Sequence, residues 1–382
     1  MSKQYKVVDL FAGAGGLSLG FTQAGFDVIG AVEIDKWASS TYAHNFKDHT
    51  VYTEDLIAVK DSFYKQFKDV DVVVGGPPCQ GFSIAASNRR DSNDSRNTLY
   101  NEYLRATRLI KPKVILVENV KEIMNARLKD GTSLLDDFVK KLELQGFTVN
   151  YTLLNAKYYG VPQDRIRFFM VGTRKGKFDF KKVAKKNRIL SVEDAISDLP
   201  KFKDGEFVPE DSFLKFEGNP LTDYQRRIRN GAKGVYNHVP MRHTPRIIER
   251  FKHIPIGGDM ENVPEAHSAR ARGNVDALSG KKYYQNHRRL NPTKPSRTIT
   301  ASFYSSFIHP YQNRNLTARE AARIQGFPDS FVFLGKRTTL SKKLLARKGV
   351  YEDLFLDQFN QVGNSVPPPL AKELATVIKN YV

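Results

Sequence analysis

Six runs of apolar and β-branched residues, each separated from the next by an amphipathic stretch, set the fold class of this chain: Tyr5 to Phe11, Val28 to Ile34, Asp69 to Gly75, Lys113 to Val120, Thr148 to Asn155 and Arg167 to Thr173. This alternation predicts a doubly wound α/β domain with a mainly parallel sheet, because parallel neighbours need helical crossovers between them. Ligands of such sheets bind beyond the carboxyl ends of the strands, so chemistry is expected in the residues that follow each run. At 382 residues, 40% of them hydrophobic and 26% charged, the chain is long enough for two domains with proper cores. The start MSKQYK lacks the apolar core of a signal peptide, and no apolar run approaches the ~20 residues that cross a bilayer, so a cytoplasmic protein is expected.

The first run ends in DLFAGAGGLSLGF, residues 9 to 21, where Gly13, Gly15 and Gly16 lead into a predicted helix. Glycine lets backbone approach a ligand closely, and the free amides of a helix start attract a carboxylate or phosphate. Glu33 follows Gly13 by 20 residues at the end of the second run, which suits a carboxylate accepting from ribose hydroxyls. A dinucleotide fingerprint GxGxxG from Gly13 would need glycine where Ser18 stands, so the pattern points to a nucleoside cofactor without a pyrophosphate. Such turns also arise from packing alone, and the motif by itself leaves that open.

The only cysteine, Cys79, lies in GGPPCQGFS, residues 75 to 83, straight after the strand-like Val70 to Val74. Two readings stand side by side. Turn-forming glycines and prolines at a strand end present a reactive thiol, yet a free cysteine also serves as a small buried hydrophobe. One cysteine rules out an intramolecular disulfide and argues against a cysteine-based zinc site. The pair His238 and His243 does not restore a metal site, since no cysteine accompanies it and Pro240 interrupts any helix, so no metal is expected.

The net charge of +19 is concentrated: Arg174 to Thr300 holds 27 Lys or Arg against 15 Asp or Glu, while the other 255 residues carry only +7. In this region the α/β alternation stops. It gives way to KKVAKKNR, HVPMRHTPRIIERFKHIPIGGDM, SARARGN and YYQNHRRLNPTKPSRTIT, rich in proline, glycine, arginine and aromatics. Basic side chains on irregular loops suit a surface that displaces counterions from phosphates and reads base edges, against the alternative of a solvated basic face.

The motifs, taken in order, resemble those of the cytosine carbon-5 DNA methyltransferases of bacterial restriction-modification type. They are DLFAGAGG at 9 to 16, Glu33 in VEIDKWA, Asp55 in TEDL, GGPPCQGFS at 75 to 83, VENV at 117 to 120, QDRIR at 163 to 167, TAREAARIQGFPD at 317 to 329 and GNSVPPP at 363 to 369. The resemblance implies a Rossmann-like catalytic domain at 1–177 plus 356–382 and a smaller, irregular, mostly β target recognition domain at 178–355. It implies S-adenosylmethionine as cofactor. Phe11, Gly13, Gly15 and Leu17 would surround its methionine part, with Glu33 at the ribose, Ile34 beside the adenine and Asp55 at the adenine amino group. Pro77, Leu99 and Asn364 would complete the pocket. For Phe11, Ile34 and Leu99 plain core packing competes with that role. The final helix, from Pro369, is expected to pack back on the sheet. The stretch from Val332 to Val362 looks longer than in similar enzymes, either a basic DNA-contacting insertion or a covering helix.

The chemistry explains why such residues are needed. Carbon 5 of cytosine is a poor nucleophile until a thiolate adds at carbon 6, and Cys79 is the only thiol available. The addition proceeds only if negative charge at nitrogen 3 is relieved, which a buried, protonated carboxyl can do, and Glu118 follows the apolar run VILV. Arg165 and Arg167 alternate and so face one side of a strand; by resemblance Arg167 contacts the base oxygen and Arg165 supports the site. Attack from above the ring requires the cytosine to be flipped out of the duplex. The expected partner is double-stranded DNA, met by a monomer associated with the nucleoid, with a cognate restriction endonuclease, another defence system or gene regulation as the setting. The tRNA-methylating branch of the family carries a second, cysteine-containing signature, and amino methyltransferases carry an aromatic residue after their proline pair; both patterns are missing here. A non-catalytic DNA-binding or cofactor-sensing derivative would have no need of Cys79, Glu118 and both arginines together.

Overall fold

The apolar runs form strands: β1 (Lys6–Leu10), β2 (Asp27–Val32), β3 (Thr50–Tyr52), β4 (Val72–Gly75), β5 (Val114–Asn119) and β6 (Thr148–Asn155), then the two-residue β7 (Gln163–Asp164) and β8 (Ile166–Thr173). The computed structural model describes residues 4–78, 99–128, 130–268, 270–271, 274–278, 286–339, 342–351 and 353–382. Contacts divide the chain into two units, one of residues 1–160, 165–187 and 365–382, the other of residues 161–164 and 188–364.

The first unit is built on a seven-stranded sheet in the order β3-β2-β1-β4-β5-β8-β6. β1 to β5 are parallel, and β8 runs antiparallel to both β5 and β6. The central strands VVDL, VVVG and VILV are buried on both faces, as parallel strands covered by helices must be. Strand order reverses at β1, so the crevice beyond the carboxyl ends of β1 and β4 is the place where a sheet of this kind binds ligands. β3, too short to show as an apolar run, adds the edge beside β2.

Helices α1 (Gly16–Gln23), α2 (Lys36–Asn45), α3 (Leu99–Ile110) and α4 (Leu134–Leu144) cover the sheet. Tyr100, Tyr103, Leu104, Thr107 and Ile110 give α3 one buried stripe at helical spacing. Asp35 caps α2 by accepting from the amides of Trp37 and Ala38, and Ser133 caps α4 through the amide of Asp136. The C-terminal helix, Pro368–Ile378, packs on α1. A Cβ at Gly20 would lie 2.4 Å from the Cβ of Ala371 and 2.7 Å from the amide of Lys372. Gly20→Ala should therefore lower stability by about 1–3 kcal/mol, overpacking outweighing the better helix propensity. Thermal melting checks this, and an unchanged or raised Tm would remove the close helix contact from the account.

The second unit differs from the mostly β expectation. Its strands within the described residues are short pairs, such as Leu214–Lys215 with Gly234–Val235 and Arg288–Arg289 with Phe307–Ile308, and helices outweigh them. Prolines at 200, 209, 220, 240, 255, 264, 292 and 310 interrupt ladders that longer strands would need. Buried ion pairs take over part of the cohesion. Arg323 bonds Asp329 at 2.7 Å and also Asp198, which pairs with Arg229 at 2.6 Å, while Arg314 grips Glu320 at 2.6 Å. Glu320 also closes the capping box with Thr317 that starts helix Ala318–Gln325. His238 bonds Thr317 and the Pro200 carbonyl, and His243 accepts from the Asn315 amide, so both histidines are engaged in loop packing. In the 332–362 stretch, helix Lys342–Arg347 lies in a loop held by Lys336 on Asp353 at 2.6 Å and by Gln358 on the Gly335 carbonyl. No described helix is long and apolar enough to cross a membrane.

Candidate active site

Register aligns the sheet's carboxyl ends. Leu10 lies opposite Val32 and Gly75, and Gly75 opposite Val117, so Phe11, Glu33, Gly76 and Glu118 form the next row outward. β8 enters this row from the other direction. Because it is antiparallel to β5, with Phe169 opposite Glu118, its first residues stand at the carboxyl ends of the parallel strands. Two-residue periodicity then puts Arg167 and Arg165 on the face of Glu118.

The side chains meet there. Arg167 Nε lies 3.3 Å from Glu118 Oε1, with only 15% and 12% of the two side chains exposed. Arg165 is buried, and its Nη2 donates to the Ser365 carbonyl at 3.2 Å. Burial raises the Glu118 pKa, outweighing the two guanidiniums, which act in the opposite direction. Two cations, in effect always protonated, thus share one dry site with a carboxyl pushed toward its neutral form. Such a site suits an electron-rich oxygen beside an atom that needs a proton.

The turn after β1 is strained and open. Phe11 takes φ 59°, a left-handed conformation that costs a non-glycine residue about 1–3 kcal/mol, and Gly13 and Gly15 take φ 56° and 95°. A Cβ on Gly13 would meet no atom within 4 Å, so this backbone borders free space, whereas one on Gly15, the N-cap of α1, would strike Phe46 at 2.5 Å. Leu17 is buried in the first turn of α1. Glu33 Oε2 accepts from the Gly13 amide at 2.7 Å and Oε1 from the Asp35 amide at 2.8 Å, tying the turn to the end of β2. Ile34, next in the chain, is 61% exposed, which excludes plain core packing for it. A glycine floor, a carboxylate for hydroxyls and an uncovered aliphatic side chain fit a nucleoside cofactor.

The other expected residues are placed as follows. Asp55 sits in the loop after β3 and accepts from the Ile57 amide; Pro77 is buried after β4; Leu99, half-buried, begins α3. Asn364 is exposed at the end of helix Gln358–Asn364 and belongs to the second unit. Cys79 lies outside the described residues.

A buried relay escaped the sequence reading. Ser18 donates to Asp9 Oδ2 at 2.7 Å and Tyr42 donates to Ser18 at 2.7 Å, which leaves the Tyr42 oxygen to accept from Nδ1 of His49 at 3.0 Å. Asp9 is fully buried, Oδ1 has no hydrogen-bond partner, and burial raises its pKa to about 7. A carboxyl raised on folding contributes stability that is complete below its unfolded value near 4 and is lost as pH rises through about 7. Asp9→Asn should therefore gain Tm relative to the parent protein as pH rises from about 5 to 8. A Tm difference constant over that window would show that Asp9 does not titrate there. A polar residue inside the apolar run VVDL was the available signal for this relay.

A seven-stranded, mainly parallel α/β sheet thus carries a glycine turn after β1 and, at the carboxyl ends of its parallel strands, a buried carboxyl beside two arginines. The family model for C-5 cytosine-specific DNA methylase matches residues 5–380. The chain belongs to that family and is a DNA (cytosine-5)-methyltransferase. Type II methyltransferase M.DdeI of Desulfomicrobium norvegicum is 41% identical over 382 residues, covering 98% of this chain and 88% of that protein. Type II methyltransferase M1.HphI of Haemophilus parahaemolyticus is 34% identical over 377 residues, covering 97% and 86%. Among solved structures, one described as a candidate DNA modification methyltransferase encoded within an E. coli prophage has a TM-score of 0.76 at 26% identity, over 99% of both chains.

Proposed function

We propose that the chain methylates carbon 5 of a cytosine flipped from a specific duplex DNA sequence, with S-adenosylmethionine as donor and Cys79 as covalent nucleophile. The observation that carries this reading is the buried Glu118 with Arg167 and Arg165 at the carboxyl edge of the sheet, two strands from the Gly13 turn. When bound, the cofactor supplies a methyl group on a positively charged sulfur. Phe11, Gly13, Gly15, Leu17, Glu33, Ile34, Asp55, Pro77 and Leu99 would hold it, Glu33 at the ribose hydroxyls and Ile34 by its exposed face against the adenine.

The Cys79 thiolate forms a bond to carbon 6 while Glu118 gives its proton to nitrogen 3, and the electron pair of the ring double bond moves toward carbon 5. Carbon 5 takes the methyl, whose bond to the donor sulfur breaks with its electron pair left on sulfur, so the sulfonium would depart as a neutral thioether. A water molecule then takes the hydrogen of carbon 5 as a proton, the freed pair restores the ring double bond, the sulfur–carbon bond breaks with its pair returning to the thiolate, and nitrogen 3 returns its proton to Glu118. Arg167 steadies the base oxygen, and Arg165 supports it from the Ser365 carbonyl. Residues 1–177 with 356–382 form the catalytic domain, and 178–355 the target recognition domain, whose positive charge grips phosphates. The relatives named type II methyltransferases favour a restriction-modification setting, in which a monomer acts in the cytoplasm on the nucleoid.

Transfer of labelled methyl from S-adenosylmethionine to mixed-sequence duplex DNA, with nucleoside analysis and bisulfite sequencing, tests this. Carbon-5 methylcytosine at one recurring sequence is expected. Label on adenine, on an exocyclic amine or on RNA alone would overturn the reading.

A further inference from the structure

The proposed nucleophile follows a stretch that has little means of holding itself in place. After β4 ends at Gly75, Gly76 is followed by Pro77 and Pro78, and two consecutive prolines remove two backbone donors. Amides cannot anchor this stretch, so its carbonyls must. The buried side chain of Asn119, 5% exposed at the end of β5, meets that need: its Nδ2 donates to the Pro77 carbonyl at 2.8 Å. Its Oδ1 accepts from the Val120 amide at 2.9 Å, which fixes which end of the amide faces Pro77. The backbone of Asn119 is itself held in register opposite Phe168 of β8. The two strand ends also touch beside this bond, for a Cβ on Gly76 would lie 3.3 Å from Glu118 Oε2.

We propose that Asn119 is a positioning residue for methyl transfer, clamping the Pro77 carbonyl so that the chain entering Cys79 starts at a fixed place relative to Glu118. The inference rests on the reading of Cys79 and Glu118 given above. Thiolate attack at carbon 6 and proton donation at nitrogen 3 occur across one rigid ring, so the two groups must be set to within a fraction of an ångström. A misplacement of about 1 Å costs on the order of 100-fold in rate. Asn119 touches neither base nor cofactor in this assignment; it acts through the Pro77 carbonyl.

The test compares the full-length protein with Asn119→Asp, which keeps the shape but sets an acceptor against the Pro77 carbonyl, and with Asn119→Ser, which is too short to reach it. Single-turnover methyl transfer, KM for S-adenosylmethionine and for DNA, and Tm are measured together with iodoacetamide labelling, which reports Cys79 alone because the chain has no other thiol. Expected is a kcat loss of about 20-fold or more with both KM values within roughly threefold, a split that marks loss of an interaction felt in the transition state. The labelling rate of Cys79 should shift by at least about threefold, because thiolate reactivity follows its surroundings. The inference is overturned by a kcat near that of the parent protein, by an unshifted labelling rate, or by a kcat loss that only tracks a smaller folded fraction. If Asn119→Asp does not fold, Asn119→Ser decides by the same criteria. Absence of methyl transfer by the parent protein would instead defeat the proposed function itself.

Discussion

Cys79→Ser is expected to reduce methyl transfer by at least about 10⁴-fold, the order lost when a nucleophile is removed from an enzyme that works through a covalent intermediate. Serine keeps nearly the size of cysteine but ionises far above neutral pH, so it offers almost no anion to attack carbon 6. Binding should survive. Dissociation constants for S-adenosylmethionine and for duplex DNA should stay within roughly threefold of the parent values, because the Gly13 turn, Glu33 and the basic region are untouched. Single-turnover transfer of labelled methyl gives the rate, and equilibrium titration the two constants. Turnover within about tenfold of the parent rate would remove Cys79 from the chemistry and return it to the reading of a small buried hydrophobe.

Glu118→Gln should lower kcat by about 10²–10³-fold, within the usual range for a lost general acid, and should change the shape of the pH profile. Glutamine can still offer a hydrogen bond to nitrogen 3 but has no proton to give. In the parent protein the active form is the protonated one, and burial raises the pKa of Glu118 against the pull of Arg167 and Arg165. The rate should therefore hold at low pH as far as Glu118 is concerned and fall as pH rises through that raised pKa. The variant should lose this alkaline limb while keeping the acidic limb set by thiolate formation. An alkaline limb that persists in Glu118→Gln would assign it to another group.

Much of this architecture was legible in the residues because buried parallel strands advertise themselves. VVDL, VVVG and VILV are almost wholly apolar runs, and each became a central strand within three residues of its expected bounds. β3 was missed because three residues make no run. The faces of Arg165 and Arg167 followed from strand periodicity, but their common approach to Glu118 depends on β8 being antiparallel to β5, and orientation of a strand is not written in its composition. Asp9 and Asn119 were overlooked for a related reason. Each acts through partners that the fold brings close, the hydroxyls of Ser18 and Tyr42 for one and the Pro77 carbonyl for the other, and such pairings are not written in the residue's own stretch of sequence. The second unit was least legible. The arginines of Arg174 to Thr300 read as charge for phosphates, yet Arg229, Arg250 and Arg289 are buried against a carboxylate and carbonyls, so part of the basic composition serves the interior.

The covalent step is the centre of the account, and one measurement reaches it directly. The protein is incubated with S-adenosylmethionine and mixed-sequence duplex DNA in which 5-fluorocytosine replaces cytosine, then denatured, digested and analysed by mass spectrometry. Fluorine at carbon 5 cannot leave as a proton does, so an adduct formed on carbon 6 is trapped after methyl transfer. The account predicts a methylated fluorocytosine joined through sulfur to the peptide containing Cys79. Methylation of ordinary cytosine duplexes with no such adduct from the fluorinated DNA would contradict it.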